Sequence, residues 1–147
     1  MGAHRSEYRT GRHCAFALHV HLVFVTKYRR GVFGANHLEA METVFREVCA
    51  DFEAELREFN GEDSHVHLLI NYPPKVALAK LVNSLKGVSA RILRRDFPEL
   101  ERRCWNGHLW SASYFAGSVG GAPLSVLKQY IEGQNRPAGP HGASPPT

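Results

Sequence analysis

The stretch Ser64-His65-Val66-His67-Leu68-Leu69-Ile70 sets two histidines around one apolar residue at the head of an aliphatic run. Side chains alternate along a strand with period 2, so as a strand it turns His65, His67 and Leu69 to one side and Val66, Leu68 and Ile70 to the other. Two imidazoles on one side can converge on a single point, as a shared metal ion requires. The pattern is common on strands, where it is more often a satisfied or half-exposed pair, and so it needs company before it means chemistry. Immediately upstream, Leu56 to Asn60 form a second strand segment and Gly61-Glu62-Asp63 a turn, which makes a hairpin; Asn71-Tyr72-Pro73-Pro74 ends it.

Further out, the apolar residues change period. Leu38, Met41, Phe45, Val48 and Phe52 recur at helical spacing, behind Asn36 and Glu39 as N-cap and capping-box partners, and predict a helix to about Glu55. Its outer face carries Glu39, Glu42, Glu47, Asp51 and Glu53, which places it away from any polyanion. Before it, Phe16 to Thr26 reads as a strand apolar on both faces, hence central, with its own pair at His19 and His21. After the hairpin, Val76 to about Phe97 predicts a second helix with Leu81, Leu85, Val88 and Ile92 inward and Lys80, Arg91, Arg94 and Arg95 opposite, a basic ridge. Pro98 to Gly107 reads as an irregular connection, and Leu109-Trp110-Ser111-Ala112-Ser113-Tyr114-Phe115 leads into a last strand ending near Val119. Gly120-Gly121 is a joint before a final helix, Pro123 to about Gln134. The order strand, helix, strand, strand, helix, strand is the split βαβ, ferredoxin-like or RRM-like α+β arrangement: an antiparallel sheet with helices on one face and an added C-terminal helix.

At 147 residues with 44% hydrophobic content the chain fits one domain with a real core. The expected division is a basic mobile arm at 1–13, a folded domain at 14–136 and a Pro-, Gly- and Ser-rich disordered tail at 137–147. No run is apolar enough to cross a membrane, and the start does not read as a signal peptide. Three scattered cysteines, Cys14, Cys49 and Cys104, argue against a disulfide framework or a Cys-x-x-Cys zinc site and suit a reducing cytoplasm. Charge is segregated: Glu39 to Asp63 holds nine of the fourteen acidic residues and two basic ones, leaving sixteen Lys or Arg against five Asp or Glu elsewhere. A surface of that sign suits a polyanion, and the loop Lys27-Tyr28-Arg29-Arg30, basic and aromatic, suits single-stranded nucleic acid.

On the last helix Tyr130 and Gln134 stand four residues apart and share a face, so a phenol and an amide could approach one site together. With these pieces the chain resembles the TnpA transposases of small insertion sequences. The resemblance rests on the His65–Ile70 block, the His21–Arg29 segment, the Leu109–Phe115 block, Gly120-Gly121 and Tyr130-Ile131-Glu132-Gly133-Gln134, five ordered blocks over about residues 14–136. These are HUH enzymes with one catalytic tyrosine that move DNA as a single strand.

The resemblance implies that His65, His67 and Gln134 hold a divalent metal, Mg²⁺ or Mn²⁺, and that Tyr130 is the nucleophile that forms a 5′-phosphotyrosine. It implies partners as well: single-stranded DNA with hairpin ends, and a second copy of the chain in a homodimer whose active sites are shared between subunits. It selects His65 and His67 over His19 and His21, whose roles it leaves open. The candidate DNA contacts are Lys27, Tyr28, Arg29 and Arg30 in the loop and Lys80, Lys86, Arg91, Arg94 and Arg95 on the second helix. The alternative is a non-catalytic RRM-like module, which would want aromatic residues on its central strands where this chain has aliphatic and imidazole ones.

Overall fold

The strand carrying His65 and His67 lies inside a four-stranded antiparallel sheet. In the computed structural model, which describes residues 8–103 and 108–120, the chain runs β1 (Arg9–Thr10), β2 (Ala15–Phe16), β3 (His19–Val25), a 3-10 turn (Lys27–Arg29), α1 (Ala35–Asp51), β4 (Glu55–Gly61), β5 (His65–Asn71), α2 (Leu78–Asp96), α3 (Pro98–Arg103) and β6 (Phe115–Ser118). The sheet order is β4-β5-β3-β6, with β1 and β2 paired separately. Taken over the four sheet strands this is the split βαβ order expected from the sequence. The expected helix with Tyr130 and Gln134, residue Gly121 and the tail lie outside the described residues.

One face of the sheet is the core. Val20, Leu22 and Phe24 of β3, Val66, Leu68 and Ile70 of β5 and Leu56 of β4 pack under Met41, Phe45 and Val48 of α1 and Leu81, Leu85 and Leu93 of α2. The alternation that buries these residues turns His19, His21, Val23, Val25, His65, His67 and Leu69 to the face that carries no described helix. In β3, then, the second apolar face is half-buried and carries the histidines.

The structure departs from the sequence expectations at four places. Helix α1 is capped at Gly34, not Asn36: the Gly34 N–H donates to Nδ1 of His37 at 2.9 Å. It ends at Asp51, short of Glu55, because Glu53 takes φ 59° and turns the chain into β4. That left-handed conformation costs a non-glycine residue about 1–2 kcal/mol, and it is tied down by Arg9, which donates to the Glu53 carbonyl, and by Lys75, 2.6 Å from its carboxylate. The connection after Pro98 is a short helix, Pro98 serving as its first residue. The first strand, expected from Phe16 to Thr26, is His19–Val25, Ala15–Phe16 pairing instead with Arg9–Thr10, whereas the last strand, Phe115–Ser118, lies where it was expected.

Candidate active site

Strands β3 and β5 pair antiparallel with Val25 opposite His65, Val23 opposite His67, His21 opposite Leu69 and His19 opposite Asn71. This register decides which imidazoles meet. The His65 and His67 rings lie edge to face with centres 5.3 Å apart, and His21, diagonal to His67, brings its ring centre to 6.2 Å from it. A metal sits about 2.0–2.1 Å from an imidazole nitrogen, so two rings can share an ion when their centres lie within roughly 6.5 Å. Both pairs meet that limit. Ser64 Oγ stands 3.5 Å from His65 Nδ1, a marginal contact, so the pair is not spent on a short hydrogen bond. Among the described residues no set of three His, Cys, Asp or Glu side chains is grouped to hold a metal. The two imidazoles thus fit as part of a ligand set and need completion by other donors.

The other end of the same face is closed by its own contacts. Asn71, 1% exposed, accepts from Arg9 at 2.6 Å through Oδ1 and donates through Nδ2 to the Leu18 carbonyl and to His19 Nε2 at 3.3 Å. Glu55 bridges Arg9 and Arg57 beside it. Burial, with the Arg57 charge, lowers the His19 pKa. This histidine has its acceptor nitrogen occupied, and it is a poor metal ligand for that reason.

Comparison with known proteins gives the family. A family model described as "Transposase IS200 like" matches residues 14–134. The ISDra2 transposase TnpA of Deinococcus radiodurans is 31% identical over 129 residues, covering 88% of this chain and 92% of that protein. This chain belongs to the IS200-like transposase family. The transposase for insertion sequence element IS200 of Salmonella typhimurium is 28% identical over 134 residues, with 91% of this chain and 85% of that one covered. In three dimensions a crystal structure of a D. radiodurans protein described as a transposase superposes with TM-score 0.71 at 32% identity, covering 86% of this chain and 97% of that one. A REP-associated tyrosine transposase bound to a REP hairpin shares the fold at TM-score 0.51 and 13% identity, covering 90% and 68%.

The structure places the other candidate residues of this IS200-like chain unevenly. Tyr28 is 69% exposed at φ 60°, with Lys27 Nζ 5.6 Å from its ring centre, and Arg29 belongs to the same turn. Arg30 is exposed next to them. On α2, Lys80 and Arg91 are exposed, Arg94 faces Glu101 at 3.8 Å, and Arg95 is held by Asp96 at 2.8 Å. Lys86 turns back: its Nζ donates to the carbonyls of Ser111 (2.7 Å), Ala112 (3.2 Å) and Ser113 (3.5 Å) and lies over the Tyr114 ring, and burial lowers its pKa. It secures the segment leading to β6. Tyr130 and Gln134 lie outside the described residues; the segment toward them leaves β6 at Gly120, whose φ of 61° favours glycine. Two features escaped the sequence reading: the approach of His21 to His67, which needs the register, and the arginines of α3, hidden in what read as a loop. No described helix is long and apolar enough to cross a membrane.

Proposed function

We propose that this IS200-like transposase cleaves and rejoins single-stranded DNA at the ends of an insertion sequence, through a 5′-phosphotyrosine on Tyr130, with a divalent metal held by His65, His67 and Gln134. The observation that carries the reading is the pair of imidazoles 5.3 Å apart on the face that carries no described helix, with only a marginal 3.5 Å contact from Ser64 and the ring of His21 beside them. A bound Mg²⁺ or Mn²⁺ would supply Lewis-acid polarisation of the scissile phosphate. Tyr130 would attack phosphorus through its phenol oxygen, forming a P–O bond as the bond to O3′ breaks; the phenol proton leaves and the departing 3′-oxygen ends as a hydroxyl. An unperturbed phenol has a pKa of about 10, so the tyrosine needs its proton drawn off in that step. Because the phosphodiester energy is kept in the tyrosine linkage, a 3′-OH can reverse the step and join new ends without a nucleotide cofactor.

The substrate would be a strand bearing subterminal hairpins, in keeping with the hairpin bound by the REP-associated relative. The joint at Gly120-Gly121 suits a tyrosine helix that completes the histidine pair of a second copy in a homodimer. The test uses labelled single-stranded oligonucleotides carrying an element's hairpin, incubated with wild type or Tyr130→Phe, in Mg²⁺ or EDTA. A covalent adduct for the wild type with metal, and for neither control, is expected. Adducts that persist in Tyr130→Phe would remove the nucleophile assignment, and hairpin binding without any adduct would favour the non-catalytic module.

A further inference from the structure

A second basic surface lies beyond the end of β3 and β5 that carries His65. There the turn after β3 faces the C-terminal end of α3 across a cleft of about 430 Å³ lined by Arg30, Gly31, Val32, Arg102 and Arg103. A small adjoining recess shares Arg30, Val32 and Arg103 and adds Thr26, Lys27, His108 and Leu109. Thr26 follows Val25, the residue opposite His65, and its N–H donates to the Ser64 carbonyl. The recess, and through it the cleft, therefore adjoins the end of the sheet at which His65 stands, Thr26 itself turning to the helix-covered side.

Its charges are unbalanced. Arg103 donates to the Val32 carbonyl at 3.4 Å, and among the described residues no carboxylate forms an ion pair with Arg30, Arg102 or Arg103. Glu99, one turn back on α3, is hydrogen-bonded to His37 at 2.8 Å, which lowers its pKa, and the charge of Arg103 adds a smaller pull in the same direction without an ion pair. Asp63 packs against Gly31 without reaching ion-pair distance of any of the three arginines. The ridge on α2 is the contrast: Arg94 and Arg95 have acidic partners and Lys86 is used on carbonyls. Arg102 and Arg103 do complement the dipole of α3, but a helix of six residues has little dipole to complement, and Arg30 stands on the opposite wall. Like charges gathered in a cleft repel one another and focus a positive field, which an anion relieves. Guanidinium forks fit phosphate oxygens in pairs, and three of them gathered in one cleft can take more than one phosphate.

We propose that this cleft, through Arg30, Arg102 and Arg103, holds the sugar-phosphate backbone of the DNA strand that the histidine pair acts on. The proposal rests on the transposase reading above and names the surface by which the strand is held. The test is fluorescence anisotropy of the full chain with a labelled hairpin-bearing single strand, in EDTA, across a salt series. Arg102→Ala/Arg103→Ala is expected to bind about 10-fold more weakly and to lower the slope of log K on log salt by about 1.4, the value for two phosphate contacts on a single strand. Arg102→Lys/Arg103→Lys should keep the slope. Arg46→Gln/Lys75→Gln, which removes two cations far from the cleft, should bind within about twofold of wild type, and Lys80→Ala/Arg91→Ala should lose less than the cleft pair. Thermal melts establish that each variant is folded.

Binding and slope unchanged in the alanine pair, or a larger loss from the α2 pair, overturns the proposal. A Tyr130 adduct in the presence of Mg²⁺ is scored separately. Cleft-dependent binding with no adduct from any protein would leave the cleft standing and remove the nuclease reading; adducts with cleft-independent binding would do the reverse.

Discussion

The chain carries two His-x-His triplets, on adjacent strands and facing the same side of one sheet, and the structure treats them in opposite ways. His19 is built into a polar lattice with Asn71, Arg9, Glu55 and Arg57, where its Nε2 accepts from an amide and a nearby guanidinium opposes further positive charge. His65 and His67 stand together, and among the described residues only the marginal 3.5 Å contact of Ser64 Oγ reaches an imidazole nitrogen of the pair. Spacing is identical in the two triplets, so spacing does not make a site. What separates them is the antiparallel register, which sets His65 and His67 opposite Val25 and Val23 but His19 opposite the buried amide of Asn71.

The comparison breaks most easily at His67. Its replacement by Ala should lower Mn²⁺ affinity, measured by calorimetry, by on the order of 100-fold or more, since partners one shell further out already cost 10–100-fold. Adduct formation should disappear with it, while the melting temperature without metal stays near wild type because the ring is only half-buried, on the face that carries no described helix. An equal loss of metal affinity from His19→Ala would erase the distinction between the triplets. At the other end, Asn71→Ala should cost about 1–3 kcal/mol in urea unfolding, the range for stranding buried hydrogen-bond partners, and leave Mn²⁺ affinity alone. A change in metal affinity without loss of stability would mean the polar lattice belongs to the site.

How much of this was legible follows from what each feature depends on. Alternation in Val66-His67-Leu68-Leu69-Ile70 and the helical recurrence of Met41, Phe45 and Val48 are local, and they gave the sheet, its buried face and the helices over it. The cap of α1 was missed because it depends on His37 acting as an acceptor, an orientation fixed by Glu99, 62 residues away. The end of α1 was missed because Glu53 has no sequence signature of positive φ and is held there by Arg9 from a separate hairpin. At the site, the His65–His67 pair was readable as a strand pattern. That His21 sits beside it was not, because β3 and β5 could have paired in several registers and only one sets His21 diagonal to His67.

His21 is the intermediate case and sharpens the contrast. Its ring meets His67 edge to face, and Gly117 lies opposite it on β6, with the Phe115 ring over that glycine. His21→Ala should weaken Mn²⁺ binding by about 5-fold if the ring only orients its neighbour, a smaller effect than loss of a partner hydrogen-bonded to a ligand. A loss as large as that of His67→Ala would make His21 a ligand in its own right.

The smallest expected effect is a pH dependence at His19. Its pKa is lowered in the folded chain, first by burial and then by Arg57. The unfolded chain therefore binds the proton more readily, and stability rises with pH wherever the unfolded state holds more protons. The contribution of a neutral His19 is present above the unfolded value of about 6.5 and is lost as pH falls below it. Replacing His19 with Asn keeps a polar group opposite Asn71 but removes the proton, so the decline in melting temperature from pH 7.5 toward 5.5 should be shallower in the variant than in wild type. A parallel decline in both would place the acid sensitivity elsewhere.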